Sequence, residues 1–330
     1  MRILVTGGAG FIGSCYVRAL LDGVHPGYED AQVTVVDKLT YAGNRSNLPE
    51  SHERLRFVRG DIADAGFMRG LVRGHDEVVH FAAESHVDRS LHAASEFVRT
   101  NVAGTQSLLE ACLRAEVRRV VHVSTDEVYG SIDEGSWTET RPLLPNSPYS
   151  ASKAGGDLIA RAYWRSYGLD VRVTRCSNNY GPYQHVEKLI PLFVTNLLSG
   201  LSVPLYGDGR NVREWVHVED HCRAVHAVLT GGTAGEVYNI GGTALSNEEI
   251  TDQLLELCGA DRSRVRRVED RKGHDLRYAV DDTKIRTQLG YRPRVALADG
   301  LASVVRWYQD NPGWWKPLRA PESSPVREGA

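Results

Sequence analysis

A short β-branched run, Ile3–Thr6, breaks off into Gly7-Gly-Ala-Gly10-Phe-Ile-Gly13, and an amphipathic stretch to Asp22 follows. Strand, glycine turn and helix in that order form a phosphate-binding corner. Gly7 makes the tight turn. Gly10 lets a pyrophosphate approach the helix N-terminus, where free amides and the helix dipole favour anions. Gly13 lets the helix pack on the sheet. Such a corner restricts the chain to a dinucleotide-binding α/β fold when the same alternation continues, and it does. Val33–Asp37, Leu55–Arg59, Glu77–Phe81, Val120–Ser124 and Val171–Cys176 read as strands, and Phe11–Asp22, Asp64–Val72, Ser95–Ala115 and Ser150–Tyr167 as helices. Near-continuous apolar strands alternating with helices predict a doubly wound parallel sheet of Rossmann type, covered on both faces.

After about residue 177 the alternation becomes irregular. Helical patterns at Lys188–Ser199, Asn247–Leu257 and Leu297–Asn311 are set among Gly, Pro, Arg and Trp. The expectation is a dinucleotide-binding domain over 1–177. A smaller mixed α/β domain over 178–318 sits across the strand ends, with some chain returning to the sheet. The tail, 319–330, is expected to be disordered. An insertion at Val24–Ala31 is expected on the surface, and Trp314-Trp315 reads as C-terminal packing.

Composition enters mainly by exclusion. A net charge of -3 gives no electrostatic footprint for nucleic acid or an acidic membrane surface. No apolar stretch is long enough for a signal peptide or a membrane span. Five scattered cysteines without a CxxC pair imply reduced thiols, a cytoplasmic setting and no metal site.

Asp37 ends the second strand, where a carboxylate accepts the adenosine ribose hydroxyls and repels a 2′-phosphate, so the expected cofactor is NAD. Asp61 and Ile62, after the third strand, are placed for the adenine. Phe81-Ala82-Ala83, after the fourth, is where the backbone passes close to the cofactor. Tyr149 and Lys153 lie four apart on a helix and share a face. A free tyrosine is a poor base at neutral pH, but a nearby ammonium and the nicotinamide charge favour its phenolate. Ser124-Thr125-Asp126-Glu127 lies at the carboxyl end of the fifth strand, where open α/β sheets place ligands. A plain alcohol dehydrogenase has no use for two adjacent acids there. A coupled elimination does, since it needs one acid and one base.

With Asp37-Lys-Leu-Thr-Tyr-Ala-Gly-Asn44, Ala82-Ala-Glu-Ser-His-Val-Asp-Arg-Ser90, Ser147-Pro-Tyr-Ser-Ala-Ser-Lys153, Cys176-Ser-Asn-Asn-Tyr-Gly-Pro182, Glu187-Lys-Leu-Ile-Pro191, Arg213-Glu-Trp and Asp270-Arg-Lys-Gly-His-Asp275, the chain resembles the extended short-chain dehydrogenase family from Met1 to about Pro317. Within it, the chain resembles the dTDP-glucose 4,6-dehydratases. The resemblance implies a cytoplasmic homodimer, paired through Ser95–Ala115 and Ser150–Tyr167, that acts on dTDP-glucose with bound NAD. It implies that Tyr149, assisted by Thr125 and Lys153, oxidises C4, that Glu127 takes the C5 proton, and that Asp126 protonates the departing C6 hydroxyl. It extends the cofactor contacts to Phe11, Ile12, Lys38, Leu39, Thr40, Ser85, Thr100, Ser124, Cys176 and Asn178. Ser85, His86 and Asp88, with the Thr125–Glu127 run, are expected along the hexose. Asn179, Lys188, Leu189, Arg213, Arg271 and His274 are expected at the diphosphate and ribose, and Pro204, Tyr206 and Asn247 at the base. A UDP-sugar 4-epimerase or decarboxylase on the same scaffold needs no acid/base pair at C5 and C6. A regulator that only senses NAD has no need of Tyr149 and Lys153.

Overall fold

The computed structural model describes residues 1–270 and 273–319. Six parallel strands carry the first half: β1 (Arg2–Thr6), β2 (Gln32–Asp37), β3 (Leu55–Arg59), β4 (Glu77–His80), β5 (Arg119–Thr125) and β6 (Val171–Cys176). Four further segments follow as β7 (Asn178–Tyr180), β8 (Val203–Tyr206), β9 (Val212–His217) and β10 (Val237–Ile240), then β11 (Thr243–Ser246) and β12 (Val265–Val268). The main sheet has seven strands in the order β10-β6-β5-β4-β1-β2-β3. The winding reverses between β1 and β4, so a crevice opens beyond their carboxyl ends, where such sheets bind ligands.

The helices of the first half are α1 (Phe11–Leu21), α2 (Ala65–Leu71), α3 (Val87–His92), α4 (Ala94–Phe97), α5 (Thr105–Arg114) and α6 (Pro148–Tyr167). The second half adds α7 (Leu189–Leu198), α8 (Val218–Gly231), α9 (Asn247–Leu257), α10 (Thr283–Leu289), α11 (Leu297–Asp310) and α12 (Pro312–Trp315). Both faces of the sheet are covered. Tyr16, Val17 and Leu20 of α1 meet Val225, Val228 and Leu229 of α8 on one face. Met68 of α2, Leu108 and Leu109 of α5 and Ala160 of α6 pack on the other. A third core gathers Phe193, Trp215, Leu254, Leu301 and Tyr308 under β8 and β9. Trp315 is buried in that core, and Trp314 donates to Asn47 Oδ1 at 2.9 Å, so the tryptophan pair is C-terminal packing. Arg319 is tied to α7 through Thr195 and Asn196; the remainder of the expected tail, 320–330, lies outside the described residues.

One feature refines the sequence reading and one departs from it. The Val24–Ala31 insertion lies at the surface, with Val24, Pro26, Gly27, Glu29 and Asp30 exposed, but buried His25, Tyr28 and Ala31 anchor it inward. Tyr28 donates to the fully buried Glu77 at 2.6 Å, and His25 stacks on His226 of α8 at 4.0 Å. The three inward anchors were not readable because their partners lie far away in sequence. The single helix expected over Ser95–Ala115 is also interrupted. Val98–Gly104 winds as a π-helix between α4 and α5. Its Asn101 side chain bonds the Glu84 backbone in both directions and reaches Ser152 of α6 at 2.9 Å. Such widened turns recur at functional sites.

Candidate active site

The cofactor corner follows from its glycines. Gly7 has φ +67, and a Cβ there would stand 2.5 Å from the Ala82 amide nitrogen, so β1 and β4 approach as only glycine permits. The first turn of α1 has neither a side-chain cap nor an acidic residue, which leaves its amides open to an anion. Asp37 Oδ2 accepts from the Ala9 amide at 3.0 Å, and Oδ1 from the Leu39 amide at 2.8 Å. Burial raises its pKa, and the two amides oppose that rise.

One cavity runs from this corner to the end of β5. Gly7, Gly10, Phe11, Ile12 and Gly13 line it, as do Asp37, Lys38, Thr40, Asp61 and Ile62. Phe81, Ala82, Ala83, Ser85 and Thr100 line its middle, and Ser124, Tyr149, Lys153, Cys176 and Asn178 its far end. Leu39 is not in the wall; it holds the turn, with φ 56. The cradle, the acid at its end and the length of the cavity fit a dinucleotide.

β5 ends in a 3-10 turn, Asp126–Tyr129, capped by Thr125, whose hydroxyl accepts the Glu127 amide at 3.3 Å. Gly130, at φ +80, closes the turn. Opposite stands α6. Ser147 and Ser150 form its capping box, Pro148 opens it and Gly168 ends it in the left-handed conformation. These signals fix Tyr149 in the first turn and Lys153 one turn on. Thr125, Asp126, Glu127, Tyr149 and Lys153 thus share one cavity.

Burial shapes the electrostatics of Asp126, Lys153 and Tyr149. Asp126 is 2% exposed, and burial, then the charges of Glu127 and Glu214, push its pKa up to about 8; Arg213 opposes this. Burial and the neighbouring carboxylates therefore favour the protonated form of Asp126. Lys153 Nζ donates to the Val123 carbonyl at 2.7 Å, and burial pulls its pKa down to about 8. Burial, then the Glu127 charge, raises the Tyr149 phenol well above its ordinary value, while a bond from Thr125 opposes that. The protein's own charges therefore do not make a phenolate of Tyr149.

A second cavity adjoins the first, and Glu127, Asn178, Glu187 and Lys188 line both. His86, Asp88, Leu189, Pro204, Tyr206, Arg213, Asn247 and His274 line the second. Asn179 lines only the first, its amide held by Cys176 Sγ and the Ser177 carbonyl. Arg213 donates to the Val212 and Asp275 carbonyls at 2.8 Å and lies over the Tyr278 ring. Lys188 Nζ donates to the Ser85 carbonyl at 2.8 Å. Arg271 lies outside the described residues. Sequence reasoning missed Glu214 and Tyr278. The first stands beside Arg213 in the quoted Arg-Glu-Trp motif, and the second follows the Asp270–Asp275 motif without any signal of its own.

The family described as GDP-mannose 4,6 dehydratase matches residues 4–304. A dTDP-glucose 4,6-dehydratase of Streptomyces niveus is 61% identical over 98% of this chain and 97% of its own. The chain belongs to the dTDP-glucose 4,6-dehydratase family. Another dTDP-glucose 4,6-dehydratase, DesIV of Streptomyces venezuelae, solved with NAD bound, is 66% identical and superposes with a TM-score of 0.95, covering 97% of this chain and 100% of that one. The UDP-glucose 4-epimerase of Thermus thermophilus, solved with NAD, shares the fold at 33% identity and a TM-score of 0.87, over 94% of this chain and 100% of its own. The dTDP-glucose 4,6-dehydratase family and the epimerases thus share this scaffold, and the chemistry lies in the site.

Proposed function

We propose that the chain converts dTDP-glucose into dTDP-4-keto-6-deoxyglucose and water. The observation that carries this reading is the Thr125-Asp126-Glu127 run facing Tyr149, with one acid buried where its protonated form is favoured and the other lining both cavities. Bound along the glycine corner and Asp37, NAD supplies a reversible two-electron acceptor that oxidises C4 and is regenerated by reduction at C6. Tyr149 takes the C4 hydroxyl proton, with Thr125 and Lys153 holding the hydroxyl and the ribose. The resulting ketone acidifies C5, and Glu127 removes that proton. Asp126 gives its proton to the C6 hydroxyl, which leaves as water, and a proton returns to C5 as C6 is reduced. Elimination from a ketone is far easier than loss of water from an unactivated sugar, which is why a redox-neutral reaction uses a nicotinamide. The nucleotide lies in the second cavity, with Arg213, Lys188 and His274 toward the diphosphate and Tyr206, Pro204 and Asn247 toward the base. Purified protein given dTDP-glucose or UDP-glucose, without added NAD, should form a 4-keto-6-deoxy product from the first. A 4-epimerised product instead would refute the reading.

The chain works as a homodimer in the cytoplasm, where its buried free thiols stay reduced. Val98 in the π-helix and Leu158 and Tyr167 on α6 are large apolar residues left exposed on the helical face opposite the sheet. A two-fold axis pairing these helices covers them. Sedimentation at micromolar concentration should give twice the chain mass, and Leu158→Glu should shift it toward the monomer.

A further inference from the structure

A carboxylate at the join of the two cavities gathers basic groups from two chain segments. Glu187, just before α7, lines both cavities. Arg89 of α3 donates to its Oε2 from Nε at 3.2 Å and from Nη2 at 3.1 Å. His86 and His185 stand 3.9 and 3.7 Å from the same carboxylate. The Arg89 guanidinium carbon also lies over the Tyr41 ring, 3.9 Å from its centre, and His185 meets that ring edge-on. Tyr41 belongs to the turn after β2 whose neighbours Thr40, Ala42 and Gly43 line the cofactor cavity. The Arg89 side chain is 49% exposed and that of Glu187 20%, so the cluster has a solvent side and a cavity side.

Resting on the cofactor reading above, we propose that Arg89, Glu187 and Tyr41 form a clasp that retains NAD between turnovers. None of the three needs to touch the reacting atoms. Arg89 bridges the wall after β2 to the segment before α7, and the fork geometry of its guanidinium makes both contacts at once. The reaction supplies the reason. A nicotinamide that leaves after oxidation of C4 strands a half-finished sugar, so slow release counts for more here than in a dehydrogenase that exchanges its cofactor.

The test measures release directly. Purified protein carrying NAD is diluted into an excess of alcohol dehydrogenase and ethanol, which converts freed NAD into fluorescent NADH. Arg89→Ala and Glu187→Ala should each speed release by about 10-fold, the size of a partly exposed charge-assisted contact of roughly 1.4 kcal/mol. The double variant should release no more than about 2-fold faster than either single one, because both remove the same clasp. Tyr41→Leu should also accelerate release, by a smaller factor. Melting curves identify any variant that fails to fold. Unchanged release in folded single variants overturns the proposal, as do multiplicative effects in the double variant. Parent protein that carries no NAD instead refutes the cofactor reading. An NAD-loaded parent that makes another sugar product refutes only the dehydratase assignment.

Discussion

Asp126→Asn is expected to lower dehydration by at least ~100-fold, the usual size of general acid–base assistance, while the fold and oxidation at C4 survive. Asparagine has the shape of the neutral acid but no proton to give the leaving hydroxyl. Glu127→Gln should fail at the same stage for the opposite reason, because nothing then accepts the C5 proton. Tyr149→Phe should fail earlier, at oxidation itself. Single-turnover spectra separate the cases. The acid-pair variants accumulate absorbance of reduced nicotinamide, and the tyrosine variant does not. If both acid variants dehydrate at nearly the parental rate, the pair is structural.

The buried acid adds a test of stability in the substrate-free protein. Its folded pKa, about 8, stands above the ordinary 3.8, so between those values the folded state holds a proton that the unfolded chain releases. Stability therefore falls as pH rises through that window. Asparagine cannot ionise, so the melting temperature of Asp126→Asn should exceed the parent's by a margin that widens from about pH 5 to about pH 8 and then levels off. Catalysis should follow the same group, since a general acid is useful only while protonated, and dehydration should decline as pH passes about 8.

The second large effect is isotopic. Substrate carrying deuterium at C4 should give product with that deuterium in the C6 methyl group, and in heavy water unlabelled substrate should gain solvent deuterium at C5. The difference follows from the two routes. C4 and C6 exchange hydrogen only through a carrier shut in the cavity, whereas the C5 proton passes through the Glu127 carboxylate, which exchanges with solvent. A mixture of labelled and unlabelled sugars should show no crossover. Deuterium found again at C4 of the product would mean epimerase-like return. Label lost to the medium would mean an open carrier.

Much of this site was readable because its determinants are local. The Gly7–Gly13 turn, the capping box before Tyr149 and the four-residue step to Lys153 depend on neighbours in sequence. The Asp126–Glu127 pair announced itself as surplus acidity at a strand end. What was not readable depends on distant partners. Glu214, which helps raise the pKa of Asp126, lies within the quoted Arg213-Glu-Trp run, but only the fold sets its charge against Asp126. Val237–Ile240 is too short an apolar run to declare itself a strand until β6 lies beside it. The π-helix at Val98–Gly104 needs no special residue, and only the packing of Asn101 against Glu84 and Ser152 reveals its use.

The placement of β10 also orders events on the ribosome. With residues up to β6 emerged, one sheet edge still lacks its neighbour, and the α1 face lacks the cover of α8. Both are supplied only by residues 218–240, some forty or more positions later. The nascent chain thus passes through an interval with an open strand edge and a bare apolar face, the features that invite mispairing between neighbouring chains. Expression of residues 1–177 alone would make that interval permanent, and the fragment should be recovered as aggregate.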